Sequence, residues 1–471
     1  MHFSRRFFLK SASATALAYT SLAQIGVGGL RAQGIGALQA DPNRILDLPE
    51  GFSYTVFSET GGEMSDGFFR PSSHDGMACF AHPADAAKCI LVRNHEISPR
   101  VDEGGAFGQD NALVSRLSEN QLYDRRDNGD PFLGGVTIAH YDLAHNRLEQ
   151  DFLALAGTST NCAGGRTPWG SWLTCEENVA APGSGAMKPH GFVFEVPASA
   201  TGPIDAVPLK DMGRFVHEAA AVDPETDIVY QTEDSFDGLF YRFLPNRRKE
   251  LAQGGKLQAL AIRGWKSADT RNWPLDWGAA GEDRVKVGQT FEVDWIDLQE
   301  VEAPDADLRL RGHQAGGALF ARGEGMDYGR TGPDAPGSIF FNCTAGGPKL
   351  VGQVWRYTPS PEEGKASEQD VPGTLTLLYE SPSADQVDMC DNLAVAPWGD
   401  LILCEDGRGE QYLRGLTPEG QVYNLARNAH EGRSEFCGAC FSPDGNTLFV
   451  NIQTPGYTLA IRGPWGRARS G

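Results

Sequence analysis

The sequence predicts an all-β fold, a six-bladed β-propeller with peripheral helical and loop insertions, on three observations. The chain is dense in backbone punctuation, with 57 Gly and 28 Pro among 471 residues. Six times it shows a β-type run, a tight turn and a second β-type run. Polar or acidic residues stand at the open ends of all six hairpins. A composition of 40% hydrophobic and 22% charged residues is globular and excludes disorder and coiled coil. Length alone permits two or three domains, but large all-β units often exceed that prior as one domain.

The second runs are 89–96 (CILVRNHE), 171–177 (SWLTCEE), 227–234 (DIVYQTED), 338–344 (SIFFNCT), 400–406 (DLILCED) and 446–453 (NTLFVNIQ). Four turns, at 168–171, 224–227, 397–400 and 443–446, read Pro-x-x-polar, which is hairpin chemistry because Pro presets φ at the first turn position. The other two connections, 82–88 and 328–337, are longer. The first runs open on His74-Asp75-Gly76, Asn161-Cys162-Ala163-Gly164, His217-Glu218, Arg322-Gly323-Glu324-Gly325, Asp391-Asn392 and Glu435-Phe436. In a propeller the innermost strands start beside a central channel, so every polar end shares one rim. A β-sandwich leaves the sixfold phase unexplained. Residues 52–57 (FSYTVF) are expected to close the circle against 457–461. Residues 111–126 read as a helical insertion, and 251–307, rich in Trp and Asp, decorates the third and fourth blades without an assigned role.

Ser4-Arg5-Arg6-Phe7-Phe8-Leu9-Lys10 fits a twin-arginine export signal, and an uncharged stretch follows from Ser11 to Leu30. Residues 1–32 are therefore expected to be a signal peptide, with cleavage near Ala32 or as late as Ala40. Residues 41–471 are expected to form a single catalytic propeller domain, periplasmic or secreted, partnered by the export machinery and without a permanent membrane anchor. The formal charge is −21, which argues against nucleic acid as a specific partner and favours a protein that holds cations.

The hairpin ends carry Asp75, Glu96, Glu176, Glu177, Glu218, Glu233, Asp234, Glu324, Asp391, Glu405, Asp406 and Glu435. A symmetric turn at 224–227 would set Glu218 opposite Glu233, and the same count sets Asp391 opposite Asp406. Close carboxylates keep protons or gain a cation, and oxygen donors in this number suit Ca2+. The nine cysteines are odd in number, and Cys437-Gly-Ala-Cys440 is a single CxxC without a second pair, a weak zinc or redox signal. Alternation places Cys175 on one strand face with Glu177. Two readings stand for it: a buried strand cysteine, as for Cys343 and Cys404, or a soft ligand for a transition metal. No HExxH helix, G-x-S-x-G elbow or P-loop is present.

Segments 161–178 (NCAGGRTPWGSWLTCEEN), 213–234, 237–245, 322–326 (RGEGM), 352–357, 391–407 (DNLAVAPWGDLILCEDG) and 435–456 resemble the PhoX family of secreted alkaline phosphatases. The resemblance runs across nearly the whole mature chain. It implies a six-bladed propeller, Ca2+ and Fe3+ in one cluster, and hydrolysis of phosphate monoesters, with diesters as a second substrate class. A metal-bridging oxo or hydroxo group would serve as nucleophile. Cys175 would ligate iron; Glu96, Asn161, Glu177, Glu218, Glu324 and Asp391 would complete the ligand set, with Glu176 and Glu233 as further candidates. Arg322 would hold the phosphoryl oxygens. Cys390 and Cys437, flanking Asp391 and Glu435, depart from the family pattern. Two alternatives remain at this level: a calcium-dependent propeller hydrolase of lactonase type, and a non-catalytic binding propeller.

The leader carries its own test. Replacing Arg5 and Arg6 together by Lys should leave the protein in the cytoplasm, measured by cell fractionation, because the paired guanidinium groups are the recognised signal. Undiminished periplasmic protein in that double mutant would reject the assignment.

Overall fold

Turn chemistry organises the chain. In three of the Pro turns the backbone reverses through a left-handed glycine, Gly170 (φ 89°), Gly399 (φ 94°) or Gly445 (φ 68°). In the fourth, Asp227 takes φ 62° and its carboxylate is bonded by Arg248 at 2.8 Å. The computed structural model describes residues 35–274, 276 and 284–466. The leader at 1–32 lies outside the described residues.

All six repeats are antiparallel hairpins, numbered here in chain order. They pair His74–Ala81 with Lys88–His95, Asn161–Arg166 with Ser171–Glu176, and His217–Val222 with Val229–Glu233. The remaining three pair Gly323–Gly329 with Ser338–Cys343, Cys390–Val395 with Leu401–Glu405, and Phe436–Phe441 with Thr447–Ile452. Their first strands touch one another in chain order, and the sixth returns to the first, so they form a closed ring. Apolar residues fill the spaces between neighbouring hairpins. The arrangement is all-β and propeller-like.

The sheets are not six separate ones. Hairpins three and four belong to a single nine-stranded sheet, because Thr290–Asp297 pairs with Gly255–Ile262 on one side and with Thr374–Glu380 on the other. Both Gly255–Ile262 and Thr290–Asp297 lie in 251–307, so that segment joins two units as well as decorating them. The other hairpins sit in sheets of three to six strands. Ser53–Glu59 pairs with Tyr457–Arg462 and joins the two ends of the folded chain in one sheet. Residues 111–126 are not an α-helix. They contain parts of two 3-10 turns, Gln109–Arg116 and Glu119–Gln121, the first broken at Asp110 and Asn111, where φ is 53°. Neither turn buries a side chain, so no apolar stripe supports a longer helix.

One irregularity recurs six times. Each first strand carries a register shift just after its opening pair, between His74/Met77, Asn161/Gly164, His217/Ala220, Gly323/Met326, Cys390/Leu393 and Cys437/Cys440. A bulge re-aims the side chain it carries. In five of the six the second bulge residue is Gly or Ala, and in two of these a neighbour leaves no room for more: a Cβ on Gly76 would lie 2.5 Å from Ala163 Cα, and one on Gly325 2.6 Å from Asn392 Cα. The fifth hairpin carries Asn392 there. Beyond this tight layer the channel widens toward the turns into a cavity of about 1180 Å³, reached by Arg166, Trp172, Tyr328 and Trp398. The acidic rim is at the opposite end.

Closure of the ring should be costly to weaken. Leu459 is fully buried and pairs with Val56 across the joining strands. Leu459→Ala should lower the unfolding free energy by about 2–5 kcal/mol, measured by denaturant titration.

Candidate metal centre

Strand parity selects which polar side chains reach the rim. The opening pairs are His74↔His95, Asn161↔Glu176, His217↔Glu233, Gly323↔Cys343 and Cys390↔Glu405. The next residue on each first strand, in the bulge, is Asp75, Cys162, Glu218, Glu324 or Asp391. The residue just past the pair on the second strand is Glu96, Glu177, Asp234, Thr344 or Asp406 in the same hairpins. The sixth hairpin pairs Phe436 with Ile452, followed by Gln453, and Glu435 stands just before it. Its bulge falls one residue later, at Gly438-Ala439.

These residues converge. In five overlapping triads, one donor atom from each member lies within 4.8 Å of the others: Asp75–Glu96–Cys162, Cys162–Glu177–Glu218, Glu177–Asp234–Glu324, Glu218–Glu324–Asp391 and Asp391–Asp406–Glu435. Where the second-strand position is not acidic, a donor replaces it. Thr344 Oγ1 donates to Glu324 at 2.8 Å, and Gln453 Nε2 donates to Glu96 at 2.7 Å and to Asp75 at 3.0 Å. One guanidinium enters the rim: Arg322, with φ 55°, binds Asp234 through Nε (2.7 Å) and Nη2 (2.9 Å) and lies 3.0 Å from Glu324.

Burial, then mutual repulsion, pushes these acids upward. Glu96 rises to about 8, after burial through Asp391 and Asp406; Asp406 rises to about 7, after burial through Asp391; burial raises Asp391 to about 6. Glu177, Glu218 and Glu324 are driven well above the carboxylate range by burial and then by neighbouring acids, Asp234 beside Glu177 and Glu324 and Asp391 beside Glu218. The Cys162 thiol is pushed up by burial and then by Asp75 and Glu218. Glu218 is the sharpest case: it is fully buried, and neither carboxylate oxygen has a hydrogen-bond partner. Buried carboxylates without donors are expensive unless a cation compensates, so these residues fit a cluster of bound cations.

Of the residues singled out from sequence, the structure brings together Glu96, Glu177, Glu218, Glu324, Asp391 and Arg322. It does not bring Cys175, Asn161, Glu176 or Glu233 to them. Cys175 packs in an apolar cluster with Leu173 and Val193. Asn161 is consumed locally, accepting from Thr158 Oγ1 just before its hairpin at 2.6 Å and donating to Thr174 Oγ1 within it at 2.9 Å. Glu176 accepts from the backbone of Ser159, Gly191 and Phe192 and from His190, which also meets Asp124. Glu233 accepts from Tyr241 at 2.7 Å and Leu239 at 3.3 Å. The expected facing of Glu218 with Glu233 and of Asp391 with Asp406 is also corrected: His217 and Cys390 take those opening positions opposite Glu233 and Glu405. Cys162 was missed as a donor, although it stands in phase with Asp75 and Glu218 at the opening of its hairpin.

The sequence matches the family described as Alkaline phosphatase PhoX over residues 33–456. The chain belongs to the PhoX family of alkaline phosphatases. It is an enzyme of the phosphatase class. Among solved structures it is similar to Pseudomonas fluorescens PhoX in complex with vanadate, a transition state analogue, at 16% identity, covering 91% of this chain and 98% of that one with a TM-score of 0.64. A Xanthomonas campestris gluconolactonase, XC5397, matches at 11% identity over 88% of this chain and 98% of its own, with a TM-score of only 0.39. No curated protein sequence matches.

In this PhoX chain Glu96, Asp391 and Asp406 have folded pKa values above the roughly 4 of an unfolded chain. The folded metal-free protein therefore binds more protons, and its stability falls as pH rises from about 4 to 8. Each carboxylate contributes at most about 1.4 kcal/mol per pH unit. A cation relieves this penalty, so the gain in melting temperature on adding calcium should grow from pH 5 to pH 8. Equal gains at both pH values would count against a rim that binds cations.

Proposed function

We propose that the chain is an exported phosphomonoesterase, acting also on diesters, with Ca2+ and Fe3+ held at the rim of a six-bladed propeller spanning residues 41–471. The reading rests on family membership and on one observation above all: the partnerless, buried Glu218 carboxylate among Cys162, Glu177, Glu324 and Asp391. The ring of six hairpins supports the blade count, and the leader at 1–32 supports export to the periplasm or beyond. Among the described residues no helix is long and apolar enough to cross a membrane.

Asp75, Glu96, Glu177, Glu218, Glu324, Asp391, Asp406 and Glu435 are the hard donors that would hold calcium, and Cys162 is the soft donor suited to iron. Bound cations supply the positive charge that makes an acidic rim attract a phosphate ester and that polarises its phosphoryl group. Arg322 presents its guanidinium to the non-bridging phosphoryl oxygens. Asp234 holds it through two parallel bonds and so fixes its plane before substrate arrives. The vanadate complex of the Pseudomonas protein supports a site shaped for phosphoryl transfer.

The two cysteines separate this reading from general acidity. Cys162→Ser replaces a thiolate donor by a hydroxyl that binds iron poorly. It should lose iron and visible absorption, and turnover of a phosphate monoester should fall by about 10² or more. Cys175→Ser, altered within an apolar cluster, should keep its metals and most of its activity. Metal analysis and steady-state kinetics on both variants decide the matter. A fully metallated, active Cys162→Ser protein would overturn the assignment.

A further inference from the structure

The rim is built on bulges, and the bulges are tied to one another by side chains that never face the site. These sit one residue before the opening partner on each second strand: Asn94, Cys175, Thr232, Asn342, Cys404 and Asn451. All six are buried. Four of them donate to the backbone carbonyl of an acid- or thiol-bearing residue in the next hairpin. Asn94 Nδ2 reaches Cys162 O (3.0 Å) and Ala163 O (2.7 Å). Thr232 Oγ1 reaches Glu324 O at 2.6 Å, and it also accepts from Ala219 N in its own bulge at 3.1 Å. Asn342 Nδ2 reaches Asp391 O at 2.7 Å and Asn392 O at 3.4 Å. Asn451 Nδ2 reaches Asp75 O at 2.5 Å and closes the circle from the sixth hairpin to the first.

We infer that Asn94, Thr232, Asn342 and Asn451 are positioning residues: each latches the bulge of the next hairpin, and so fixes the spacing of rim ligands contributed by different hairpins. The inference rests on the rim being the metal centre of the proposed phosphatase. Bulged backbone has lost its ladder partners, so a carbonyl there without a donor can rotate and carry its side chain with it. A latch removes that freedom before a cation binds, and the cation then pays less to order its ligands. Cys175 occupies the same place at the junction between the second and third hairpins, which accounts for a cysteine so near the rim that does not join it.

Asn342 is the best test, because its bulge carries Asp391, a member of two triads. Asn342→Leu removes the donor while filling the space, and Thr232→Val removes only a hydroxyl. Calcium is titrated into each chelated full-length protein while melting temperature is followed, and monoester kinetics are measured at limiting and saturating calcium. The half-saturating calcium concentration should rise by about tenfold or more in either variant, because each loses at least one buried hydrogen bond to the next bulge. At saturating calcium kcat should recover and KM for the ester should stay at the wild-type value. Asn342→Thr, the solution already used at position 232, should restore most of the affinity. A lowered melting temperature of the metal-free protein with unchanged half-saturation would make these residues merely structural and overturn the inference. So would unchanged behaviour of both variants beside a calcium-binding wild type. A wild-type protein that binds no calcium would overturn the proposed metal centre and the latches with it.

Discussion

Among the described residues nine carboxylates and one thiol crowd one end of a closed ring, and their repulsion is the constraint on which the rest of the molecule turns. Among the described residues one guanidinium, Arg322, stands within that crowd, far too little to neutralise it. A flexible loop would relieve the strain by moving apart. This scaffold resists. The strands Ser53–Glu59 and Tyr457–Arg462 tie the ends of the chain together, and the bulges pack so tightly that Gly76 and Gly325 admit no side chain. Repulsion that cannot be relieved by expansion is left for protons or cations.

The same chain shows how it treats buried charge when no ligand is intended. Glu176 is met by three backbone amides and by His190, whose other ring nitrogen meets Asp124. Glu363 receives Arg242, Tyr230, Tyr357 and the Ser360 amide. Those carboxylates are saturated from within. Glu218, equally buried, receives nothing. The contrast lies in the supply of donors and not in acidity, and it is why Glu218, and not Glu176, belongs to the proposed metal centre.

Much of this was legible in the residues themselves. Pro-x-x-polar turns locate four hairpins, because the φ values they need are local properties. The acidic ends could be counted, and the resemblance in the TPWGSWLTCEE and RGEG segments points to the family that the match over residues 33–456 bears out. What failed was parity. Glu176 and Glu177 are adjacent and identical in type, yet one faces a histidine core and the other the rim, and no local signal separates them. The bulge was not visible either: a symmetric hairpin sets Glu218 against Glu233, whereas the extra residue moves His217 into that place and turns Glu218 inward.

By itself, then, the sequence determined the all-β class, the six hairpins, the acidic rim and the family, since each is written in short-range turn chemistry or in residue type. Tertiary structure alone decided which cysteine joins the carboxylates. Cys162 lies in a bulge, whose direction is set by packing against the next first strand, whereas Cys175 lies in regular strand and packs in the apolar cluster with Val193. Glu177, of the same parity, reaches the rim because it lies past the strand end at Glu176. It also decided that two units share one sheet, because the pairing of Thr290–Asp297 with Thr374–Glu380 joins strands far apart in the chain. Long-range pairing of that kind leaves no mark on a local run of residues; it exists only once the ring has closed.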